Sequence, residues 1–196
     1  MKYPVEQKAE THERIIDAAA RSFREHGSEG EGLAQLMKQL GLTHGGFYRH
    51  FQSKEDLYVD AITRGFQQAA DGIIAAAAKA PQGAQLRVII ERYLSLEHLE
   101  DPGGGCVIST LAAEIARQRP AVRARINAAM KSYRERLLPF FPGKSVAEKR
   151  RQFIVLFPSM AGVLMTARAM TDPDARKEIL SVARRFYIRA FAEHVE

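Results

Sequence analysis

The sequence predicts an all-α protein, and three observations predict it. Apolar residues recur at three- and four-residue intervals along most of the chain. Glycines and prolines fall at the ends of those runs, and no stretch alternates apolar with polar residues as a half-buried strand does. The first run puts Ile15, Ile16, Ala19, Ala20 and Phe23 on one face over about residues 8–26, and Gly27 closes it as a left-handed C-cap does. Leu33, Leu36, Met37 and Leu40 stand at i, i+3, i+4 and i+7, a short second helix ended by Gly41. Thr43 is positioned to cap a third short element, over 44–50, carrying Phe47, Tyr48 and Phe51. Ser53 with Asp56 three residues on resembles a capping box, and a long helix is expected from there to about residue 80. Pro81-Gln82-Gly83 breaks it, one more helix is expected over 86–99, and residues 100–105 (Glu-Asp-Pro-Gly-Gly-Gly) read as a flexible connection. Four further helices follow at about 106–118, 121–138, 145–170 and 174–193. Pro120, the Pro139/Pro142-Gly143 group and the Asp172-Pro173-Asp174 turn separate them.

At 196 residues and 21.9 kDa the chain can bury about 70% of its unfolded surface, so it needs no covalent or metal staple. Cys106 is the single cysteine, which excludes an internal disulfide and suits a reducing compartment. Six histidines, at 12, 26, 44, 50, 98 and 194, show no zinc-ligand spacing. No phosphate loop, nucleophile elbow or paired metal ligands appear, so neither an enzyme nor a cofactor is expected. The N-terminus is charged from the start, without the apolar core of a secretory leader. The longest apolar run, 153–167, is interrupted by Pro158 and Ser159 and reads as too short for a membrane span. A cytoplasmic protein without membrane segments is the expectation.

Charge is unevenly placed. Residues 1–57 carry 8 Lys/Arg against 9 Asp/Glu, and residues 58–196 carry 21 against 14, so bulk charge does not mark the N-terminal region as a polyanion binder. Within it, however, residues 32–54 contain no acid at all but hold Lys38, Arg49, Lys54 and two histidines. The same window has two short helices joined by a tight turn and preceded by a third, the helix-turn-helix arrangement. Gly45 and Gly46 begin the last of these. Each glycine costs about 1 kcal/mol of helix stability against alanine, so a helix made only for packing has little use for two, whereas close approach of DNA does.

The stretch Gly41-Leu-Thr-His-Gly-Gly-Phe-Tyr-Arg-His-Phe-Gln-Ser-Lys-Glu-Asp-Leu57 resembles the DNA-binding signature of the TetR family of transcriptional regulators. Residues 14–27 (Arg-Ile-Ile-Asp-Ala-Ala-Ala-Arg-Ser-Phe-Arg-Glu-His-Gly) resemble that family's first helix. The likeness covers about the first 60 residues; beyond them only length and helix count agree. It implies phosphate contacts from Thr43, Tyr48, His50 and Lys54, which position a protein without reading sequence. It implies base-edge positions at His44, Gly45, Gly46 and Arg49, where a guanidinium can bridge O6 and N7 of guanine. Phe47 and Phe51 are expected in the core. Where many members open the second helix with Ser or Thr, this chain has Gly30-Glu31-Gly32, and an acid there would repel DNA.

The resemblance implies a helix-turn-helix domain over 1–57 and a larger helical domain over 58–196 that binds a small effector and dimerises. Ile179, Val182, Ala183, Phe186 and Ala190 on the last helix, with Phe153, Phe157, Met160, Ala161, Gly162 and Leu164 on the one before, offer a homodimer interface; a monomer core uses the same faces. A two-fold protein matches a palindromic double-stranded operator. Tyr93, His98, Met130 and Tyr133 are the candidate pocket residues on the middle helices. The run Arg117, Arg119, Arg123, Arg125, Lys131, Arg134 and Arg136 reads as an anion attractor or a solvated face. Cys106, after three glycines and expected in the first turn of a helix, is a candidate redox residue or a small packing residue. The expected function is a ligand-responsive repressor, with a redox- or electrophile-responsive regulator and an effector-independent DNA-binding module as alternatives.

Overall fold

The structure, a computed structural model, describes residues 5–30 and 32–193, and of Val5 and His44 the backbone alone. Ten α-helices follow one another: α1 (Val5–His26), α2 (Leu33–Gln39), α3 (His44–Phe47), α4 (Lys54–Ala77), α5 (Gln85–Tyr93), α6 (Leu96–Glu100), α7 (Ile108–Arg117), α8 (Pro120–Leu137), α9 (Val146–Ala169) and α10 (Pro173–Tyr187). No strand occurs among the described residues.

The N-terminal trio assembles as its sequence dictates. Ile15, Ile16, Ala19, Ala20 and Phe23 are all buried on one stripe of α1. Leu36 and Met37 of α2 and Phe47 of α3 close over that stripe, with Phe51 stacked on Phe47 at 5.2 Å. The turn between α2 and α3 depends on Gly41 at φ +71°, a backbone geometry that costs other residues about 1 kcal/mol or more. It lets the Leu42 amide donate to the Met37 carbonyl at 2.9 Å, so the chain reverses within three residues.

Helix α4 is the axis of the molecule. Its first turn is capped by Ser53, whose hydroxyl accepts from the Asp56 amide at 3.1 Å and donates to the Asp56 carboxylate at 2.8 Å. It packs against α1 on one side and α8 on the other, and Ile62, Phe66, Ala70 and Ile73 are buried there. Helices α7, α9 and α10 complete the larger part of the core.

Four expectations change. The helix foreseen over 86–99 is two helices, because Leu94 is driven into the core while the Ser95 hydroxyl accepts from the His98 amide at 3.1 Å and starts α6 afresh. Helix α7 begins at Ile108, so Cys106 precedes it. The last helix changes to a π turn over Ile188–Ala192. Helix α9 runs unbroken through Pro158, which is exposed; among the described residues it is the one helix long and apolar enough, by length and composition, to cross a membrane. The expectation that this run is too short is therefore wrong on length. Part of α9 is nevertheless interior: Leu156, Phe157, Met160, Ala161 and Leu164 are buried, so of the foreseen interface residues Phe157, Met160, Ala161 and Leu164 belong to the monomer core. Left outside are Gly162, Ile154, Val155 and Met165 on α9 and Val182 and Phe186 on α10.

Candidate nucleic-acid interface

Thr43 sits in extended geometry, and its Oγ1 accepts from the Gly46 amide at 3.2 Å, which fixes the start of α3. The hydroxyl proton stays available to an outside acceptor. A methyl group built on Gly45 meets nothing within 4 Å, and one on Gly46 lies 3.4 Å from Thr43 Oγ1. Packing within the chain therefore does not require either glycine, and the start of α3 is left open to the outside. Tyr48 stands 59% exposed with its ring edge-on to Phe47 at 5.1 Å. Arg49 is exposed, as is Lys54 at the first position of α4. Phe47 and Phe51 are buried, as foreseen. The His44 side chain and Glu31 lie outside the described residues.

A cleft of about 430 Å³ joins this element to the start of α1, bringing Lys8 and Thr11 beside Thr43, Gly46, Arg49 and His50. Neither Lys8 nor Thr11 was foreseen; the signal for them is weak, a polar pair three residues apart on the face of α1 next to His12. His50 is half-buried, and its Nδ1 has no hydrogen-bond partner. Burial, then the neighbouring His12, Lys8 and Arg49, hold its pKa below the ordinary histidine value. The imidazole is thus a neutral donor beside cations, able to meet a phosphate oxygen.

This element is fastened to the rest of the molecule by polar contacts. Arg119 Nε, just before α8, and Arg125 Nη1 of α8 reach Glu55 at 3.0 Å and Asp56 at 2.9 Å, next to Lys54. Arg136 pairs with Asp71 and Arg134 with Glu135, so much of the basic run on α8 is matched by acids and is not an open anion attractor. Glu114 of α7 accepts from the Ser28 amide after α1. Arg64 of α4 pairs with Glu13 and Asp17 of α1. Deepest is Arg24 of α1, whose Nε donates to the Gly103 carbonyl at 2.6 Å and whose Nη2 donates to Gln68 at 3.0 Å. Burial lowers its pKa to about 10.

That glycine loop walls a second cavity, about 220 Å³, among α4, α5, α6 and α8. Tyr93, His98, Tyr133 and Cys106 all line it, so three of the four foreseen pocket residues come together with the cysteine. Met130 does not; it is half-buried against the core one turn from Tyr133 and is not among the residues lining the cavity. His98 is a structural pin. One ring nitrogen, Nδ1, is 2.7 Å from the Tyr93 carbonyl and the other, Nε2, accepts from the Cys106 amide at 3.0 Å. Burial lowers its pKa to about 4, so the ring is neutral. Cys106 is 4% exposed, with its carbonyl taking bonds from Ser109 and Thr110. The loop before it is held by Arg24 and by the Asp101 carboxylate on the Gly104 amide, so it is not the flexible connection foreseen, and the buried Cys106 sits as the small packing residue of the two readings does.

Residues 15–61 match the family model described as bacterial regulatory proteins, tetR family, and residues 83–139 match a tetracyclin repressor-like C-terminal domain. A transcriptional regulator of the helix-turn-helix type, AcrR of Shigella flexneri, is 36% identical over 53 residues, 27% of this chain and 25% of that protein. The fatty acid metabolism regulator protein of Bacillus subtilis is 25% identical over 130 residues, 66% of this chain and 65% of that one. The matched part thus spans less than two thirds of either relative. Two solved structures share the fold. A TetR transcriptional regulator from Chloroflexus aurantiacus has a TM-score of 0.73 at 24% identity, over 94% of this chain and 97% of that one. The regulator FadR from Bacillus subtilis in complex with stearoyl-CoA has 0.61 at 18%, over 87% and 96%.

Proposed function

The chain belongs to the TetR family of bacterial regulatory proteins and is a DNA-binding transcriptional regulator, and from that premise we propose that it is a dimeric repressor that leaves a palindromic operator when a small molecule fills the cavity beside Tyr93, Tyr133 and Cys106. The observation that carries this reading is the bared start of α3: Thr43 capping it, open space at Gly45, and exposed Tyr48, Arg49 and Lys54 around it. In this reading residues 1–57 are the DNA-binding domain and 58–196 the effector-binding and dimerisation domain. Thr43, Tyr48, His50 and Lys54 hold phosphates, while His44, Gly45, Gly46 and Arg49 face base edges. The cytoplasm, where the DNA is, is the compartment. The alternative of a thiol-based switch requires the reagent to enter the same cavity, because Cys106 has no other exposure.

The test is selection of bound fragments from a genomic pool by the purified protein at several salt concentrations, with Arg49→Ala alongside. A sharply enriched palindrome, lost or relaxed in the variant by about 1–3 kcal/mol at one base pair, is expected. Weak binding that depends steeply on salt and ignores Arg49 means phosphate attraction alone, and the reading falls.

A further inference from the structure

The cavity beside the glycine loop has a chemical character that narrows what it admits, and this inference rests on the effector reading above. Tyr93 and Tyr133 are 2% and 6% exposed, and neither phenolic oxygen has a hydrogen-bond partner. Both rings stand edge-on to Phe157 at 5.3 Å, which fixes their direction. Cys106 lies beside both, and its thiol, a weak hydrogen-bonding group, is within reach of the Tyr93 hydroxyl. A buried donor without a good acceptor is costly, on the scale of a whole hydrogen bond or more, so two such residues lining one cavity ask for an oxygen that accepts from both. Burial keeps both phenols protonated, hence donors. His98 offers nothing further, since both its ring nitrogens are engaged.

Size and charge exclude other classes. The 220 Å³ equals the liquid volume of about seven waters, below the range of ordinary ligand pockets and far short of a long acyl chain. Asp101 in the lining is already paired with Arg21, and Glu97 balances Arg92 in number, so the lining offers no surplus positive charge to an anionic head. We propose that the cavity binds a small uncharged molecule with a carbonyl oxygen, held between the hydroxyls of Tyr93 and Tyr133.

The experiment uses the full-length protein and a graded set of probes: cyclohexanone and small lactones, cyclohexanecarboxylate as the anion of similar shape, methylcyclohexane as the shape without oxygen, and stearoyl-CoA. Binding is read by thermal shift and by changes in the tyrosine ring resonances, and operator affinity is measured in parallel. Cyclohexanone or a lactone is expected to bind. Tyr93→Phe and Tyr133→Phe, conservative changes whose folding is checked by their own unfolding curves, should each weaken it about tenfold. Carboxylate, hydrocarbon and acyl-CoA should produce no shift. Binding by the carboxylate or by stearoyl-CoA in place of the ketone, equal binding by both phenylalanine variants, or no binding by any carbonyl probe would overturn the proposal. Ketone binding that leaves operator affinity unchanged supports the ligand class and removes the effector reading, so the two fail separately.

Discussion

Arg24 is the residue at which the two halves of the molecule are most tightly joined. It lies on α1, yet its guanidinium passes Gly65 of α4 to reach the carbonyl of Gly103 in the loop that walls the cavity. A methyl group on Gly65 would come within 2.5 Å of Arg24 Nη1 and 2.8 Å of Val107, so the glycine there makes room for the arginine. Nη1 itself has no partner, and burial has lowered the pKa to about 10, which marks the charge as a cost that two hydrogen bonds must offset. The planar fork matters more than the charge: Nε and Nη2 serve two acceptors on different elements at once. Arg24→Lys should therefore destabilise more than Arg24→Met, because the ammonium remains buried without that fork while methionine fills the space without charge. Urea unfolding is expected to place the lysine variant about 1–3 kcal/mol below the natural protein and the methionine variant closer to it. The opposite order would mean that charge, and not geometry, makes this contact.

At the scale of elements, what the chain revealed in advance were local signals, and what it hid were pairings over distance. Thr43 and Ser53 cap helices as their spacing foretold, and Gly27 and Gly41 adopt the positive φ that glycine permits. Each of those depends on atoms within four residues. The partners of Arg119, Arg125 and Arg136 lie 64 to 69 residues away on α4, which no periodicity of α8 contains. The same limit explains the pocket. Tyr93 and Tyr133 share a cavity because α5 and α8 both pack near α4, whereas Met130, on the same helix as Tyr133, meets other neighbours. The break at Leu94–Ser95 was local but ambiguous, since Leu94 continues the apolar pattern while Ser95 interrupts the backbone ladder. It positions His98 for its bond to the Cys106 amide. Ser95→Ala removes that cap and should cost about 1 kcal/mol in chemical unfolding, with faster amide exchange at His98 and Cys106. Unchanged exchange at both amides would show that α6 holds its place without the cap.

For the whole molecule the open question of surface is the apolar strip formed by Ile154, Val155, Gly162 and Met165 on α9 and by Val182 and Phe186 on α10, with Phe186 65% exposed. Together with the buried face, the strip makes α9 apolar along its length. The opposite side of the same helix is fully engaged in the core, so a membrane span would have to give up Leu156, Met160 and Leu164 to lipid while the charged neighbours Lys149, Arg150 and Arg151 stayed at one end. Pairing with a second copy covers the strip without disturbing the core. In the proposed dimer, two copies of α9 and α10 would make a four-helix contact, and Gly162, against which a methyl group meets nothing within 4 Å, would let the helices come close. Because the contact is two-fold, every substitution counts twice. Burying one phenylalanine is worth about 1.5–3 kcal/mol, so Phe186→Asp should weaken the dimer by about 3–6 kcal/mol, a hundred- to ten-thousand-fold rise in its dissociation constant. Sedimentation should then find a folded monomer at concentrations where the natural chain is a dimer. That monomer should bind a half-operator as before and a full palindrome with no added gain, since both recognition elements no longer engage at once. A Phe186→Asp protein that remains dimeric would move the interface elsewhere and leave the strip on α9 without its explanation.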